Sequence, residues 1–284
     1  MIAVTGASGK LGNWVVQELL KRTEAKNIVA LVRDPQKTQN LQALGVQVRQ
    51  ADYEQYNTLV DALNGVEKLL LISSNEIGKR ATQHQAVINA AVAAKVQHLA
   101  YTSVLNADSS TLGLSEEHRV TEKAILASGL KYTFLRNGWY LENHTENLAS
   151  ALQHGVILGA AGEGRFSSAS RQDYATAAAI VLTQAGHENK IYELAGNQSF
   201  TLQDLAKELS HQSQKKIVYQ DMSEAEYEKA LIGFGLPQAL AHLLADSDTG
   251  AKNGQLESRS TDLNKLIGRE STTLRSAIQS AIKE

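Results

Sequence analysis

The sequence predicts a doubly wound α/β protein, a parallel sheet with helices on both faces, followed by a smaller, mainly helical C-terminal portion. Three observations predict it. Short β-branched runs alternate with longer stretches of helical period through the first half of the chain, the signature of repeated βαβ units. Two of the runs, Leu69-Leu70-Leu71-Ile72 and Leu99-Ala100-Tyr101, are continuously apolar, as parallel strands covered on both faces are. A glycine-rich turn, Gly6 to Gly12, joins the first apolar run to the first helical stretch.

Taken in order, the strands fall near 2–5, 28–33, 46–50, 67–72, 96–102 and 132–136. The crossover helices run from Leu11 to Lys21, Asn57 to Leu63 and Ala81 to Ala94, where apolar residues recur at three and four positions. After about residue 150 the pattern is less regular. Gly155, Gly159, Gly162 and Gly164 mark a loop-rich stretch, a helix follows from Gln172 to Thr183, and a strand lies near 191–194. Ser223 and Glu226 are spaced as a capping box, Pro237 suits a first helical turn, and an Ile/Leu period from Leu263 to Ile282 makes the end helical.

Composition narrows the function classes. The 284 residues are 43% hydrophobic and 20% charged, ordinary values for a folding chain. Lys and Arg total 28 against 30 acids, so there is no basic surplus for nucleic acid. The chain has no Cys, which removes disulfides, thiolate nucleophiles and Cys-based metal sites, and fits a reducing cytoplasm. Met1 leads straight into Ile2-Ala3-Val4 and no apolar run approaches a membrane span, so neither a signal peptide nor a membrane anchor is expected. The eight His are scattered without H-E-x-x-H spacing, and a G-x-S-x-G elbow is absent, so no metal and no serine nucleophile are expected.

The glycine turn carries the chemistry. Gly6-Ala7-Ser8-Gly9-Lys10-Leu11-Gly12 follows a strand and opens a helix, the context of a dinucleotide cradle. Glycines allow the tight turn and close approach to a pyrophosphate, and the helix start offers N–H groups and the positive end of a dipole. The spacing is G-x-x-G-x-x-G, and a Walker A loop is excluded because Leu11 follows Gly9-Lys10 and Val4 stands five before Gly9. The second strand ends Leu31-Val32-Arg33-Asp34-Pro35. Arg33 supplies a fork for a 2′-phosphate and points to NADPH, whereas Asp34 before Pro is an N-cap. Residues 1–150 are then an NADP-binding Rossmann domain, and 151–284 a mixed portion contributing to the substrate cleft.

With these residues in place the chain resembles the short-chain dehydrogenase/reductase superfamily, in its atypical NmrA-like branch. Arg33-Asp34-Pro35, Ala51-Asp52-Tyr53, Gly65 to Ser73, Tyr101-Thr102-Ser103 and Leu135 to Tyr140 carry the likeness in the first half. Ala160 to Gly164, Tyr192 to Gly196, Ala245 to Asp248 and Lys265 to Gly268 carry it in the second. The resemblance implies an NADPH-dependent oxidoreductase passing hydride to a quinone or similar small aromatic acceptor, as a monomer or homodimer. Its alternatives are a triphenylmethane-dye or azo-type reductase and a non-catalytic NADP-binding redox sensor acting through a protein partner. It further implies that Ser73, Ser74 and Asn75 lie along the cofactor, that Asn137, Gly138, Trp139, Tyr140, Leu141 and Glu142 line the nicotinamide and acceptor cavity, and that Arg171 reaches the cofactor phosphates. Asn137 is read as a carboxamide or carbonyl partner, with capping of the following helix as its structural alternative. Trp139 and Tyr140 are read as flat walls for an aromatic acceptor, or else as core packing.

The chain departs from the superfamily in one respect. Members carry Tyr-x-x-x-Lys on a helix, the Lys lowering the pKa of a proton-donating Tyr, yet none of the nine tyrosines here has Lys four residues on. Lys123 stands near the expected place with Arg119 four before it, on what reads as a charged helical face beside Glu122. His118 is a candidate proton donor, expected on a solvated helix face. A quinone needs a general acid less, because its hydride adduct is an aromatic anion. Asn137, Tyr140 and Lys123 are the expected catalytic residues.

Overall fold

The computed structural model describes residues 1–283, so Glu284, the last residue of the expected C-terminal portion, lies outside it. The chain forms two compact units. The first comprises Met1–Ala107, Glu116–Asn137 and Arg171–Leu194, and the second Asp108–Ser115, Gly138–Ser170 and Ala195–Glu284 as far as it is described.

In the first unit, β1 (Ile2–Val4), β2 (Ile28–Val32), β3 (Gln47–Gln50), β4 (Lys68–Leu71), β5 (His98–Val104) and β6 (Lys131–Asn137) fall where the apolar runs place them. Between them stand α1 (Lys10–Leu20), α2 (Gln39–Ala43), α3 (Tyr56–Ala62), α4 (Arg80–Ala93) and α5 (Ser115–Ala127). Every residue of β2 and β5 is buried, as strands covered on both faces must be. On α1 the buried apolar positions are Leu11, Val15, Val16 and Leu19, one face at helical spacing.

Following in the chain are α6 (Leu141–Thr145), α7 (Leu148–His154), β7 (Val156–Gly159), α8 (Arg171–Thr183) and β8 (Lys190–Leu194). Of these, α8 and β8 belong to the first unit: β8 pairs in parallel with β6, and α8 packs on α1. The sheet is therefore seven-stranded and all-parallel, in the order β3-β2-β1-β4-β5-β6-β8. The order reverses between β1 and β4, the switch point beyond which open α/β sheets hold ligands. The division is not a single cut at residue 150, because the sheet is completed by residues 171–194.

The second unit contains α6, α7 and β7, followed by α9 (Leu202–Ser213), β9 (Val218–Asp221), α10 (Glu224–Gly233), α11 (Gln238–Lys252), α12 (Asp262–Ile267) and α13 (Leu274–Ala281). Its core gathers Leu148, Phe166, Phe200, Leu205, Leu209 and Ile278, and β7 and β9 form a parallel pair. The Ser223–Glu226 capping box opens α10 as expected, and a second, Thr201–Asp204, opens α9. Pro237 is the N-cap of α11, one place before the helical turn expected for it. The Ile/Leu period from Leu263 to Ile282 is two helices, because Gly268 takes a left-handed C-cap (φ 70°) and Thr273 caps anew. Among the described residues no helix is long and apolar enough to cross a membrane.

Candidate functional site

The end of β1 is tied to the switch point by one side chain. Thr5 donates its N–H to Leu70 O at 3.0 Å, and its Oγ1 accepts the Ile72 N–H at 2.8 Å. The chain then turns through Gly6 (φ 58°), a left-handed residue, and Gly9 N–H returns to Gly6 O at 2.9 Å. A Cβ at Gly12 would lie 2.8 Å from Ala7 Cα and collide with the Gly6 carbonyl, so α1 can press against the turn only with glycine there. Gly9, at the N-cap of α1, supplies no side-chain cap, and no acid occupies the first turn. An anion fits this end of the helix. Ser8, Gly9 and Lys10 are exposed, whereas the side chains of Ala7 and Leu11 are buried, so these two face the core and can offer a ligand only main-chain atoms.

At the end of β2, Asp34 Oδ1 accepts the Gln36 N–H at 3.0 Å with Pro35 in the first helical position, the capping role expected of it. Arg33 is exposed beside it. Its NH1 pairs with Glu76 Oε1 at 3.1 Å, across the loop that follows β4. Tyr53, after β3, is half-buried; desolvation pushes its phenol up to about 12, and it donates to Ile72 O at 3.1 Å.

The loop after β4 is built by residues that sequence reasoning missed. Ser73 N–H donates to Thr102 Oγ1 at 2.9 Å, Ser74 N–H to His84 Nε2 at 2.9 Å, and Arg80 Nε to Ser74 O at 2.6 Å. Ser74 is buried and Asn75 exposed. A nitrogen that accepts carries no proton, so His84 is neutral with its hydrogen on Nδ1, facing Thr121 Oγ1 at 2.9 Å. Burial, then the Arg80 charge, lowers its pKa to about 3. Its one sequence signal is a His at an inward position of α4, in register with Val87 and Ile88.

His118 is not the solvated helix residue expected. It is buried on the inner face of α5, with Nδ1 2.7 Å from Tyr101 Oη and Nε2 3.5 Å from Arg80 NH1. Burial, then Arg80, holds it well below the ordinary imidazole range, so it is no proton donor near neutrality. Nor does Glu122 mark a solvated face. Its carboxylate accepts Arg136 Nε at 3.0 Å, Arg136 NH2 at 2.6 Å and Ser103 Oγ at 2.6 Å, while Arg136 NH1 reaches Glu193 at 2.9 Å. Lys123 is exposed, because the inward positions of its turn are taken by Thr121 and Glu122.

Asn137 ends β6. It is buried, and its Oδ1 has no hydrogen-bond partner among the described residues. It caps nothing, since the N-cap of α6 is Tyr140. A buried amide oxygen without a donor is costly unless a ligand supplies one, and a nicotinamide carboxamide has that donor. The glycine turn, Arg33 and Asn137 thus fit NADPH. Arg171 opens α8, half-buried, with Asp173 in the same first turn.

In the second unit, Gly138, Trp139 and Tyr140 are half-buried, with Trp139 packed on the core that includes Leu112 and Leu141. The segment is pinned by Leu141 N–H to Ala169 O at 2.9 Å and Ala169 N–H to Trp139 O at 3.2 Å. The Leu141 side chain is buried in that core, which leaves its backbone to face a ligand, and Glu142 is half-buried.

The NmrA-like family matches residues 1–277. Quinone oxidoreductase 2 of Escherichia coli K12 is 55% identical over 278 residues, 98% of this chain and 97% of that one. The crystal structure of the NADPH-dependent quinone oxidoreductase of E. coli complexed with NADPH superposes with a TM-score of 0.97, covering 99% and 100% of the two chains at 55% identity. The triphenylmethane reductase of Citrobacter sp. superposes at 0.96, with 40% identity and coverage of 100% and 99%. Glycine turn, seven-stranded parallel sheet and full-length likeness agree, and the chain belongs to the NmrA-like family.

Proposed function

We propose that this chain is an NADPH-dependent quinone reductase. The observation that carries the reading is its 55% identity, over 98% of its length, with E. coli quinone oxidoreductase 2. The turn at Gly6, Gly9 and Gly12 would hold the pyrophosphate, Arg33 the 2′-phosphate, and Ser73 to Asn75 the nicotinamide half, with Asn137 Oδ1 accepting from the carboxamide. When bound, NADPH supplies a hydride. Trp139 and Tyr140, which follow Asn137 in the chain, offer aromatic faces to a flat acceptor. The candidate proton donors are poorly placed as general acids: Tyr101 is buried against His118 with its pKa raised by burial, His118 is neutral, and Lys123 is exposed. An acceptor that becomes an aromatic anion suits such a site, because water can protonate it. A reducing cytoplasm suits a chain without cysteine.

The test is loss of NADPH absorbance on adding 1,4-benzoquinone, against a heat-killed control. An enzyme-dependent rate is expected, and its absence across several quinones would remove the proposal. The 40% identity with Citrobacter triphenylmethane reductase supports a second acceptor class, read by decolorisation of malachite green under the same conditions.

A further inference from the structure

Arg33 is one end of a line of alternating charges. Its NH1 meets Glu76 Oε1 at 3.1 Å, Glu76 Oε2 meets Lys79 Nζ at 3.3 Å, and Lys79 Nζ meets Glu54 Oε1 at 3.0 Å. The line crosses the ends of β2, β4 and β3, the side of the sheet where the glycine turn would hold the pyrophosphate and Arg33 the 2′-phosphate. We propose that Glu76 is a specificity-determining residue that competes with the 2′-phosphate of NADP(H) for Arg33 and so weakens the enzyme's grip on that coenzyme. The proposal rests on the assignment of Arg33 to the 2′-phosphate.

The two partners are not equally mobile. The Arg33 side chain is 68% exposed and that of Glu76 32%. Glu76 is also held through its backbone, whose N–H donates to Ser74 Oγ at 3.1 Å and whose carbonyl accepts the Lys79 N–H at 3.1 Å. The backbone that carries the carboxylate is thus held in place, and the guanidinium is the more exposed partner of the pair. The bond to Glu76 uses one of the five N–H donors of Arg33, so the remaining edge of the fork can still face a phosphate.

Glu76 therefore has two opposed effects on a phosphate at Arg33. It orients the guanidinium, which helps, but an exposed ion pair orders a side chain only weakly. It also puts a carboxylate next to a near-dianionic phosphate, and repulsion between them acts over several ångströms through little more than water. Repulsion outweighs orientation. NADH, which lacks the phosphate, feels neither effect. A carboxylate set this way shortens the residence of NADP+ after hydride transfer, which matters where product release limits turnover.

The test is calorimetric titration of NADPH, NADP+ and NADH into the full-length wild type, Glu76→Gln, Glu76→Ala and Arg33→Ala. Both Glu76 variants should bind NADPH and NADP+ about three- to tenfold more tightly, leave NADH within about twofold, and lose most of the gain at high salt, as a screened repulsion does. If Arg33→Ala weakens NADPH selectively while the Glu76 variants are neutral or bind it more weakly, the Arg33 assignment stands and the competition proposal is overturned. If Arg33→Ala weakens NADPH and NADH alike, the Arg33 assignment itself is wrong and the proposal falls with it.

Discussion

Ser74 and His84 form a backbone clamp: the peptide N–H of Ser74 ends on His84 Nε2 at 2.9 Å, and on its other side the Ser74 carbonyl accepts Arg80 Nε at 2.6 Å. One residue of the loop after β4 is thus held from both faces by side chains of α4. Replacing His84 with Ala strands a buried N–H, at a cost of about 1–3 kcal/mol. His84→Ala should lower the melting temperature by several degrees and weaken NADPH binding severalfold. His84→Gln, whose Oε1 can accept the same bond, should recover much of both. Thermal melts and NADPH titrations of the two variants check this, and equal losses for Ala and Gln would show that the bond matters less than the ring's volume.

Glu122 and Arg136 are both nearly inaccessible, at 7% and 5% side-chain exposure, and bond through two N–H···O contacts. Such a pair adds little net stability over an apolar one, but breaking it leaves a buried charge uncompensated, typically at about 3–5 kcal/mol. Glu122→Ala should therefore lose on the order of that amount in urea unfolding. Glu122→Gln, which keeps the shape and one acceptor oxygen for Arg136, should lose less. A loss below about 1 kcal/mol for the Ala variant would mean that Glu193 alone satisfies Arg136.

In the second unit, Asp248 Oδ2 accepts the Ala160 N–H at 2.9 Å. Burial pushes its carboxyl up from 3.8 to about 7, with the Ala160 bond acting against the rise and the Asp221 charge with it. The folded state holds a proton that the unfolded state releases above 3.8, so this group costs stability as pH rises from about 4 through 7. Asn keeps the hydrogen bond and carries no charge. Asp248→Asn should match the wild type near pH 4 and exceed it at pH 8 by on the order of 2–4 kcal/mol. Melting curves across that range decide it, and a constant difference at every pH would assign the effect to packing.

Proton delivery gives a prediction with opposite outcomes at different residues. A required general acid contributes about 10²–10⁴-fold. Lys123→Ala should keep kcat for a quinone within about tenfold of wild type, and His118→Ala should cost stability through its lost contacts with Tyr101 and Arg80 while staying in the same kcat range. Trp139→Ala should raise KM and lower kcat together, since a misplaced acceptor ring loses both binding and alignment. Steady-state kinetics at saturating NADPH separate these cases. Abolished turnover in folded, coenzyme-binding Lys123→Ala would identify the acid the sequence pattern lacks.

What the chain alone reveals is whatever is local. The runs 69–72 and 99–101 read as central strands because they are continuously apolar, and the glycine turn reads as a cradle because strand, turn and helix are contiguous. Lys190–Leu194 was legible as a strand but not as the seventh of the main sheet. It lies at the sheet edge with Lys190 and Ile191 exposed, and its partner β6 is more than fifty residues earlier. The buried polar face of α5 was hidden for the same reason. His118, Thr121 and Glu122 look like a solvated helix until Tyr101, His84 and Arg136 arrive from distant segments. Asn137 was singled out, but only the fold shows that its Oδ1 is buried without a donor.

Because β8 and α8 come from residues 171–194 and take their places beside β6 and on α1, the sheet stays incomplete until that late segment has been synthesised. While residues 138–170 are still leaving the ribosome, the nascent sheet ends on β6, an unpaired parallel edge bearing Phe134 and Leu135, the kind of surface that recruits other chains. A chain stalled or cleaved before residue 190 would keep that edge open, so truncated products of this gene should depend on chaperones and aggregate where the full-length protein does not.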